Sequence, residues 1–231
     1  MPGQTPAASA TRSVERALAL LASVCDGHAA TLAECSRVTD LPASTALRLL
    51  RTLEQRDFVA RDDSGGYRAG PRLVQLGAQA LAREPLVRMC TPALQNVVRV
   101  SGESAYLSVR GPGSTALYVA MIEGTHSIRH SSWVGRTVPL EGSAVGAVLL
   151  GRVPAAGYVI LRSGVERDVT AVAAPIRAPG GATGDLNIGA LSIVGPDYRM
   201  DRATAETYGR LLTAEAAGIA RSLGVEQPTG T

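Results

Sequence analysis

The pattern of apolar and polar positions is most informative between residues 31 and 69. Thr31 and Glu34 have the spacing of a capping box, in which each side chain accepts a hydrogen bond from the other residue's backbone amide. After Pro42, which suits a first helical turn, apolar residues recur three and four positions apart at Ala46, Leu49, Leu50 and Leu53. Residues 58–61 and 67–69 flank a turn and predict a hairpin. This order predicts a winged helix-turn-helix.

The polar face of the second helix suits the major groove of double-stranded DNA. Short side chains at its start let the helix end approach the bases. The guanidinium groups of the arginines that follow can form paired hydrogen bonds with guanine edges or phosphate. A solvated helix face is the alternative, but the two-helix unit and its wing favour DNA, with the wing side chains reaching phosphate or the minor groove. The candidate DNA contacts are Ala43, Ser44, Thr45, Arg48, Arg51, Arg61, Tyr67 and Arg68.

Helical patterns also lie on either side of this unit. Residues 13–25 predict an opening helix with Ser13 as its N-cap. Apolar residues between Leu73 and Leu81 predict a helix that runs to Pro85 and joins two domains. A lone linker could not bury that apolar side, so we expect a homo-oligomer. The predicted boundaries are residues 12–70 for the DNA-binding domain, 71–84 for the linker helix and 85–231 for a second domain.

In the second half of the chain, apolar residues recur at every second position, as in a β-strand. After a helix beginning at Pro92, residues 104–110 and 115–121 alternate across a glycine-rich turn and predict an antiparallel hairpin. Residues 169–176 and 187–194 predict further strands, with helices over residues 143–150 and 200–223. The fold class predicted for the chain is α+β, with one antiparallel sheet in the second domain.

Composition excludes several classes of enzyme. All 23 basic side chains are arginine. Phosphate-binding P-loops, kinase sites, Schiff-base enzymes and pyridoxal phosphate sites each need a lysine amine. A serine hydrolase elbow at Ser143 would need glycine where Glu141 stands. We therefore expect no enzyme activity and no cofactor.

Metal, membrane and single-strand functions are also not expected. The three cysteines are far apart at apolar helical positions, and His126 and His130 lie in an extended or looped segment, so we predict no metal site. The start of the chain lacks a basic and an apolar signal region, which predicts a cytoplasmic protein without membrane contact. Few aromatic residues argue against stacking on single strands.

The chain resembles the IclR family of bacterial transcription regulators over roughly residues 12–223. Its first half carries Ser13-Val-Glu-Arg-Ala-Leu18, Leu41-Pro-Ala-Ser-Thr-Ala-Leu-Arg-Leu-Leu50 and Tyr67-Arg-Ala-Gly-Pro-Arg-Leu73. Its second half carries Gly102-Glu103-Ser104, Val134-Gly-Arg-Thr-Val-Pro-Leu140, Ala173-Ala-Pro-Ile176 and Leu191-Ser-Ile-Val-Gly-Pro196 in the family's order. The resemblance implies a DNA-binding domain, a linker helix, and a GAF-like domain that holds a small effector, in dimers or dimers of dimers.

Departures from the family pattern bear on the effector. The region between Gly151 and Gly157 is shortened, and Glu141, Leu161, Ala171 and Val194 stand where members commonly have more useful polar groups. We predict a site at the first amides of the helix after Ser143, with a hydroxyl from Ser192. The candidate effector residues are Ser143, Ala144, Val145, Gly146, Leu161, Ala171, Ser192 and Val194. An aromatic or largely apolar effector, or none, is expected.

The predicted function is a regulator that binds an inverted-repeat operator and responds to this effector. One alternative is an effector-independent regulator whose second domain only assembles the oligomer. A remote alternative is a small hydrolase, for which His126 and His130 would be the candidate bases of the second domain.

Overall fold

The computed structural model describes residues 6–27, 30–130, 132–179 and 186–224. The chain divides into two compact units, Met1–Arg83 and Glu84–Thr231. Within the described residues, no helix is both long and apolar enough to span a bilayer.

The first unit is a winged helix-turn-helix. Its elements are α1 (Pro6–Cys25), α2 (Leu32–Val38), α3 (Ala43–Gln55), β1 (Val59–Arg61), β2 (Tyr67–Ala69) and α4 (Pro71–Arg83). A small core between the first three helices and the wing is formed by Leu20, Cys35, Leu49, Leu50, Val59 and Tyr67. The predicted order of two helices followed by an antiparallel wing is confirmed.

Helix boundaries in this unit follow local chemistry, with one exception to the prediction. The capping box forms at α2, where the Thr31 hydroxyl accepts from the Glu34 amide at 3.2 Å and the Glu34 carboxylate accepts from the Thr31 amide at 2.9 Å. Ser13 is not an N-cap, because α1 already begins at Pro6. Proline suits the first turn, and the alanines that follow have the highest helix propensity, so the helix extends past the predicted start.

The second unit is an antiparallel sheet with helices on both faces. Its elements are α5 (Pro85–Ser101), β3 (Ser104–Arg110), β4 (Thr115–Ile122), β5 (Thr137–Pro139), α6 (Ala144–Leu149), β6 (Val159–Arg162), β7 (Val169–Ala178), β8 (Leu186–Pro196) and α7 (Arg202–Ser222). The strand order is β5-β4-β3-β8-β7-β6, and all neighbours are antiparallel. The α+β fold class is confirmed.

Two hydrophobic clusters lie on opposite faces of this sheet. Side chains of α5 and α7 pack on one face, against Leu107, Val172 and Ile193 among others. Side chains of α6 pack on the other, against Tyr106, Ala173 and Val194. Because both faces are covered, the polar positions of β3 are buried as well: Ser104, Tyr106 and Ser108 are all 0% exposed.

Three features of the second unit differ from the prediction. Helix α5 begins at Pro85 rather than Pro92, because proline suits its first turn and the Glu84 carboxylate accepts from the Leu86 amide at 3.3 Å. Pro92 then lies inside the helix. The edge strands β5 and β6 were not predicted, since three and four residues are too few to show a period.

Candidate DNA-binding surface and ligand pocket

The polar face of α3 presents the predicted contacts to solvent. Ala43, Ser44, Arg48 and Arg51 are exposed, and Thr45 is half-buried. The guanidinium groups of Arg48 and Arg51 make no ion pair or hydrogen bond with any residue that the structure describes. Because Ala46, Leu49 and Leu50 bury the opposite side of α3, its polar face and both guanidinium groups point to solvent.

The three candidate DNA contacts of the wing differ in their exposure and in their partners. Arg61 is held over the wing, because its guanidinium forms an ion pair with Glu54 at 3.3 Å and donates to the Tyr67 hydroxyl at 2.7 Å. Arg68 is exposed. Tyr67 is 4% exposed and belongs to the core, so its predicted role as a surface contact is wrong. The alternation of β2 turns Tyr67 inward and Arg68 outward.

A pocket lies in the second unit, between α6, the sheet and the loops that follow β4 and β6. Its volume is about 410 Å³, counting the open mouth. The residues that line it are Tyr118, His130, Trp133, Ser143, Ala144, Val145, Leu161, Gly164, Val165, Glu166, Val169, Ala171 and Val194. Six of the eight candidate effector residues are in this wall, and Gly146 and Ser192 are not.

Gly146 lies against the chain rather than against the pocket. A Cβ at this position would stand 2.0 Å from the carbonyl oxygen of Leu140, and the Gly146 amide already donates to the Ser143 hydroxyl at 3.1 Å. That hydroxyl in turn donates to the carbonyl of Pro139 at 2.6 Å. Ser143 therefore caps α6. Of the amides of Ala144, Val145 and Gly146, which were predicted to be free for an effector, the Gly146 amide is already used by this cap.

Ser192 lies beneath the pocket, on β8 between Tyr106 and Ala173 of the neighbouring strands. Its side chain is fully buried, and its hydroxyl has no hydrogen-bond partner among the described residues. The hydroxyl faces the α6 side of the sheet but does not reach the pocket wall.

Four aromatic rings form a closed aromatic cluster beside the pocket: Tyr106, Tyr118, Trp133 and His130. Successive ring centroids are 5.2, 5.7, 4.8 and 5.6 Å apart around this circuit, and every contact is edge to face. All but Tyr106 line the pocket. The sequence analysis assigned none of these residues to the effector site; the alternation that places Tyr106 and Tyr118 on one face of the hairpin was the available signal.

A polar chain crosses the aromatic cluster. The Tyr106 hydroxyl lies 2.6 Å from Nδ1 of His130, and Nε2 of His130 lies 3.3 Å from Oε2 of Glu166. Burial raises the pKa of Tyr106 well above its ordinary value. Burial and the charge of Glu166 raise the pKa of Tyr118 to about 12. Both phenols therefore stay neutral near pH 7.

The loop that carries His130 is anchored from outside the pocket. Arg199 donates to the carbonyl of Ile128 at 2.7 Å and to the buried carboxylate of Glu103. His126 lies on the same anchor, with Nε2 3.7 Å from Glu103. The described residues contain no group of three or more metal-ligating side chains.

Comparison with known proteins connects both units to one family. Residues 13–63 match the IclR helix-turn-helix domain, and residues 78–157 match the bacterial transcriptional regulator IclR C-terminal domain. The transcriptional repressor AllR of Klebsiella pneumoniae is 27% identical over an alignment of 261 residues that covers 97% of this chain and 95% of AllR. The regulator KipR of Bacillus subtilis is 29% identical over 143 residues, which cover 62% of this chain and little more than half of KipR, 57%.

Solved structures share the fold along nearly the whole chain. An IclR transcriptional regulator from Alicyclobacillus acidocaldarius has a TM-score of 0.76 at 23% identity, covering 95% of this chain and 99% of its own. An IclR homologue from Microbacterium hydrocarbonoxydans, complexed with 4-hydroxybenzoate, has a TM-score of 0.74 at 22% identity, covering 93% and 100%. These relatives are regulators rather than enzymes. The chain belongs to the IclR family of DNA-binding transcription regulators.

Proposed function

We propose that this regulator binds an inverted-repeat operator through α3 and responds to a small aromatic or largely apolar molecule held in the second unit. The observation that carries the DNA part is the pair of arginines on α3, Arg48 and Arg51, whose guanidinium groups have no partner among the described residues. Arginine guanidinium groups form paired hydrogen bonds with guanine edges or with phosphate. The small residues at the start of α3 allow the close approach that base contact needs. Arg61 and Arg68 on the wing add contacts to the backbone.

The proposal includes a homodimer or a dimer of dimers. Helix α4 has no buried residue, and Val74 and Leu81 on it are 64% and 37% exposed. A second copy of α4 would cover this apolar side, and a two-fold protein reads a two-fold site. Light scattering at micromolar concentration tests the assembly: a monomer, together with a footprint that lacks dyad symmetry, would contradict it.

The effector part rests on the walls of the ligand pocket. Apolar side chains and the rings of Tyr118 and Trp133 line this pocket, as they do in most small-molecule sites. An aromatic body would gain about 25 cal/mol per Å² of apolar area buried there. The relative from Microbacterium hydrocarbonoxydans binds 4-hydroxybenzoate, an aromatic molecule. Ser143, Ala144, Val145, Leu161, Ala171 and Val194 are the proposed contacts.

Footprinting on the DNA upstream of its own gene and the adjacent genes tests the regulator directly. We expect protection of two half-sites about one helical turn, or a multiple of it, apart. A thermal-shift screen of aromatic metabolites then tests the effector. A clear footprint without saturable binding of any small molecule would favour the effector-independent regulator, in which the second unit serves assembly alone.

A further inference from the structure

We propose that Tyr118 and Trp133 set the chemical specificity of the ligand pocket by donating hydrogen bonds to an acceptor oxygen of the bound molecule. This inference rests on the proposed function, because it names the polar group that the aromatic effector must carry. The class of ligand that follows is an aromatic ring bearing a carbonyl or carboxylate oxygen.

Three of the five polar side chains in the pocket wall already have partners within the protein. Glu166 pairs with Nε2 of His130 at 3.3 Å, and Nδ1 of His130 lies 2.6 Å from the Tyr106 hydroxyl. The Ser143 hydroxyl both donates and accepts a hydrogen bond at the cap of α6. None of these three groups therefore needs a partner on the ligand.

The other two polar side chains, Tyr118 and Trp133, end in donors that form no hydrogen bond with any residue that the structure describes. Both are more than nine-tenths buried, at 5% and 8% exposed. Among the described residues, the sealed side-chain groups that lack a partner are the hydroxyls of Ser108 and Ser192. The donors of Tyr118 and Trp133 are therefore still reachable, and the space that both residues line is the pocket. Since an indole N–H can only donate, the group that suits both side chains is an acceptor.

The backbone and the state of Tyr118 strengthen this preference. The amides of Ala144 and Val145 line the same pocket in the first turn of α6, where helical amides have no partner within the helix. Burial and the charge of Glu166 raise the pKa of Tyr118 to about 12, so its hydroxyl keeps its proton and can donate. A ligand without an acceptor would displace water from these donors and leave them unpaired, which lowers its affinity.

Calorimetric titration of the full chain with acetophenone, benzoate and ethylbenzene tests the inference. The three probes share one ring and a similar size, but acetophenone carries a neutral acceptor oxygen, benzoate carries a charged one and ethylbenzene carries none. We expect the better of the two oxygen-bearing probes to bind at least about tenfold more tightly than ethylbenzene. If ethylbenzene bound as tightly as that probe, the inference would be overturned while the proposed function remained intact. Binding of none of the three would contradict both this inference and the effector part of the proposed function.

Trp133 also reports where a probe binds, because it is the only tryptophan in the sequence. Its fluorescence should change with the same midpoint as the heat of binding, and heat without a change in fluorescence would place the probe outside the pocket and overturn the inference. Trp133→Phe removes the N–H and should lower the affinity for the oxygen-bearing probe more than the affinity for ethylbenzene. An equal loss for both probes would overturn the role of Trp133 as a donor.

Tyr118→Phe tests the other donor, because it keeps the ring and its edge-to-face contacts and removes only the hydroxyl. Affinity for the oxygen-bearing probe should fall by about tenfold, while affinity for ethylbenzene stays within about twofold. The free energy of unfolding should not fall, since the hydroxyl has no hydrogen bond to lose among the described residues. Tyr208→Phe is the matched control: its hydroxyl donates to the Ser101 carbonyl at 3.1 Å, and its ring packs on the opposite face of the sheet. Unchanged affinity in Tyr118→Phe, or an equal loss in Tyr208→Phe, would overturn the assignment.

Discussion

Arg199 forms two hydrogen bonds with the carboxylate of Glu103, from Nε at 2.7 Å and from Nη2 at 3.0 Å. Glu103 is 1% exposed, so its carboxylate lies in the protein interior with Arg199 as its main partner. The same guanidinium holds the carbonyl of Ile128, and through it the loop that brings His130 to the ligand pocket. The pair thus links a buried charge to the position of a pocket wall.

Removing Arg199 should destabilise the second unit strongly. Arg199→Ala leaves the buried Glu103 carboxylate without its main partner, and losing one member of such a pair costs about 3 to 5 kcal/mol. Urea unfolding measures the loss. Arg202→Ala is the control, because its ion pair with Glu206 is exposed and is worth less than about 0.5 kcal/mol. If both variants lost the same free energy of unfolding, burial of Glu103 would not be the reason that its ion pair matters.

Arg48 should contribute to sequence-specific DNA binding. Arg48→Ala removes an exposed guanidinium one turn beyond Ser44 and should weaken binding to the specific duplex by about 1 to 3 kcal/mol, if its fork reads a base edge. Affinity is measured on specific and random duplexes. An equal loss on both would make Arg48 a phosphate contact. Arg56→Ala, at the far end of α3, is the control and should change neither affinity.

The capping box of α2 gives an acid-dependent contribution to stability. Thr31→Ala removes the hydroxyl that accepts from the Glu34 amide and should lower the free energy of unfolding by about 1 kcal/mol. Hydrogen bonds from the amides of Thr31 and Ala30 lower the pKa of Glu34 in the folded state. The contribution of Glu34 is therefore present above its unfolded pKa and is lost as the pH falls through the folded value.

Glu34→Gln separates the charge from the hydrogen bonds in this capping box. The amide oxygen of glutamine still accepts, but it does not titrate, so stability between pH 5 and pH 3 should depend less on pH than in the parent chain. Chemical unfolding at a series of pH values measures this slope. An unchanged slope would show that the Glu34 carboxylate is not a source of the acid dependence.

The local signals of the first unit were sufficient to predict its architecture from the sequence. A capping box, Pro42 and the spacing of Ala46, Leu49 and Leu50 each act within a few residues, so they are readable without knowing the fold. Tyr67 was assigned to the surface because residue type suggested a phosphate contact. Its burial is set by packing against α1 and α3, which are distant in sequence.

The ligand pocket shows the limit of sequence reasoning more clearly. The start of α6 was predicted from the cap at Ser143, and strands β4, β7 and β8 were predicted from their alternating or apolar sequence. The aromatic cluster joins residues of β3 and β4 to a loop, and only the three-dimensional structure brings Tyr106 within reach of His130. Glu166 was missed for the same reason, since nothing near it in the sequence indicates a site.

Tyr67 should matter for stability rather than for DNA binding. Tyr67→Ala removes a buried ring from the core and should cost about 3 kcal/mol or more, as for other large core truncations. Tyr67→Phe keeps the ring and loses only the hydrogen bond from Arg61, so DNA affinity should stay within about twofold. A large loss of DNA affinity in Tyr67→Phe would instead show that the Tyr67 hydroxyl contacts DNA.

Two serines at the ligand pocket should respond to truncation in opposite ways. Ser143→Ala removes the cap of α6 and leaves the Pro139 carbonyl without its donor, so it should destabilise by about 1 to 2 kcal/mol. Ser192→Ala removes a buried hydroxyl that has no partner among the described residues, and should leave the free energy of unfolding unchanged or raise it. Thermal and urea unfolding of the ligand-free protein measure both.

The same Ser192 variant also tests the pocket. Because Ser192 lies beneath the wall rather than in it, Ser192→Ala should leave the affinity for an aromatic probe within about twofold. A tenfold loss of affinity, about 1.4 kcal/mol, would show that the bound molecule reaches past Ala171 and Val194 to the sheet. A loss of stability above about 1 kcal/mol in the ligand-free variant would instead show that the hydroxyl has a hydrogen-bond partner in the folded protein.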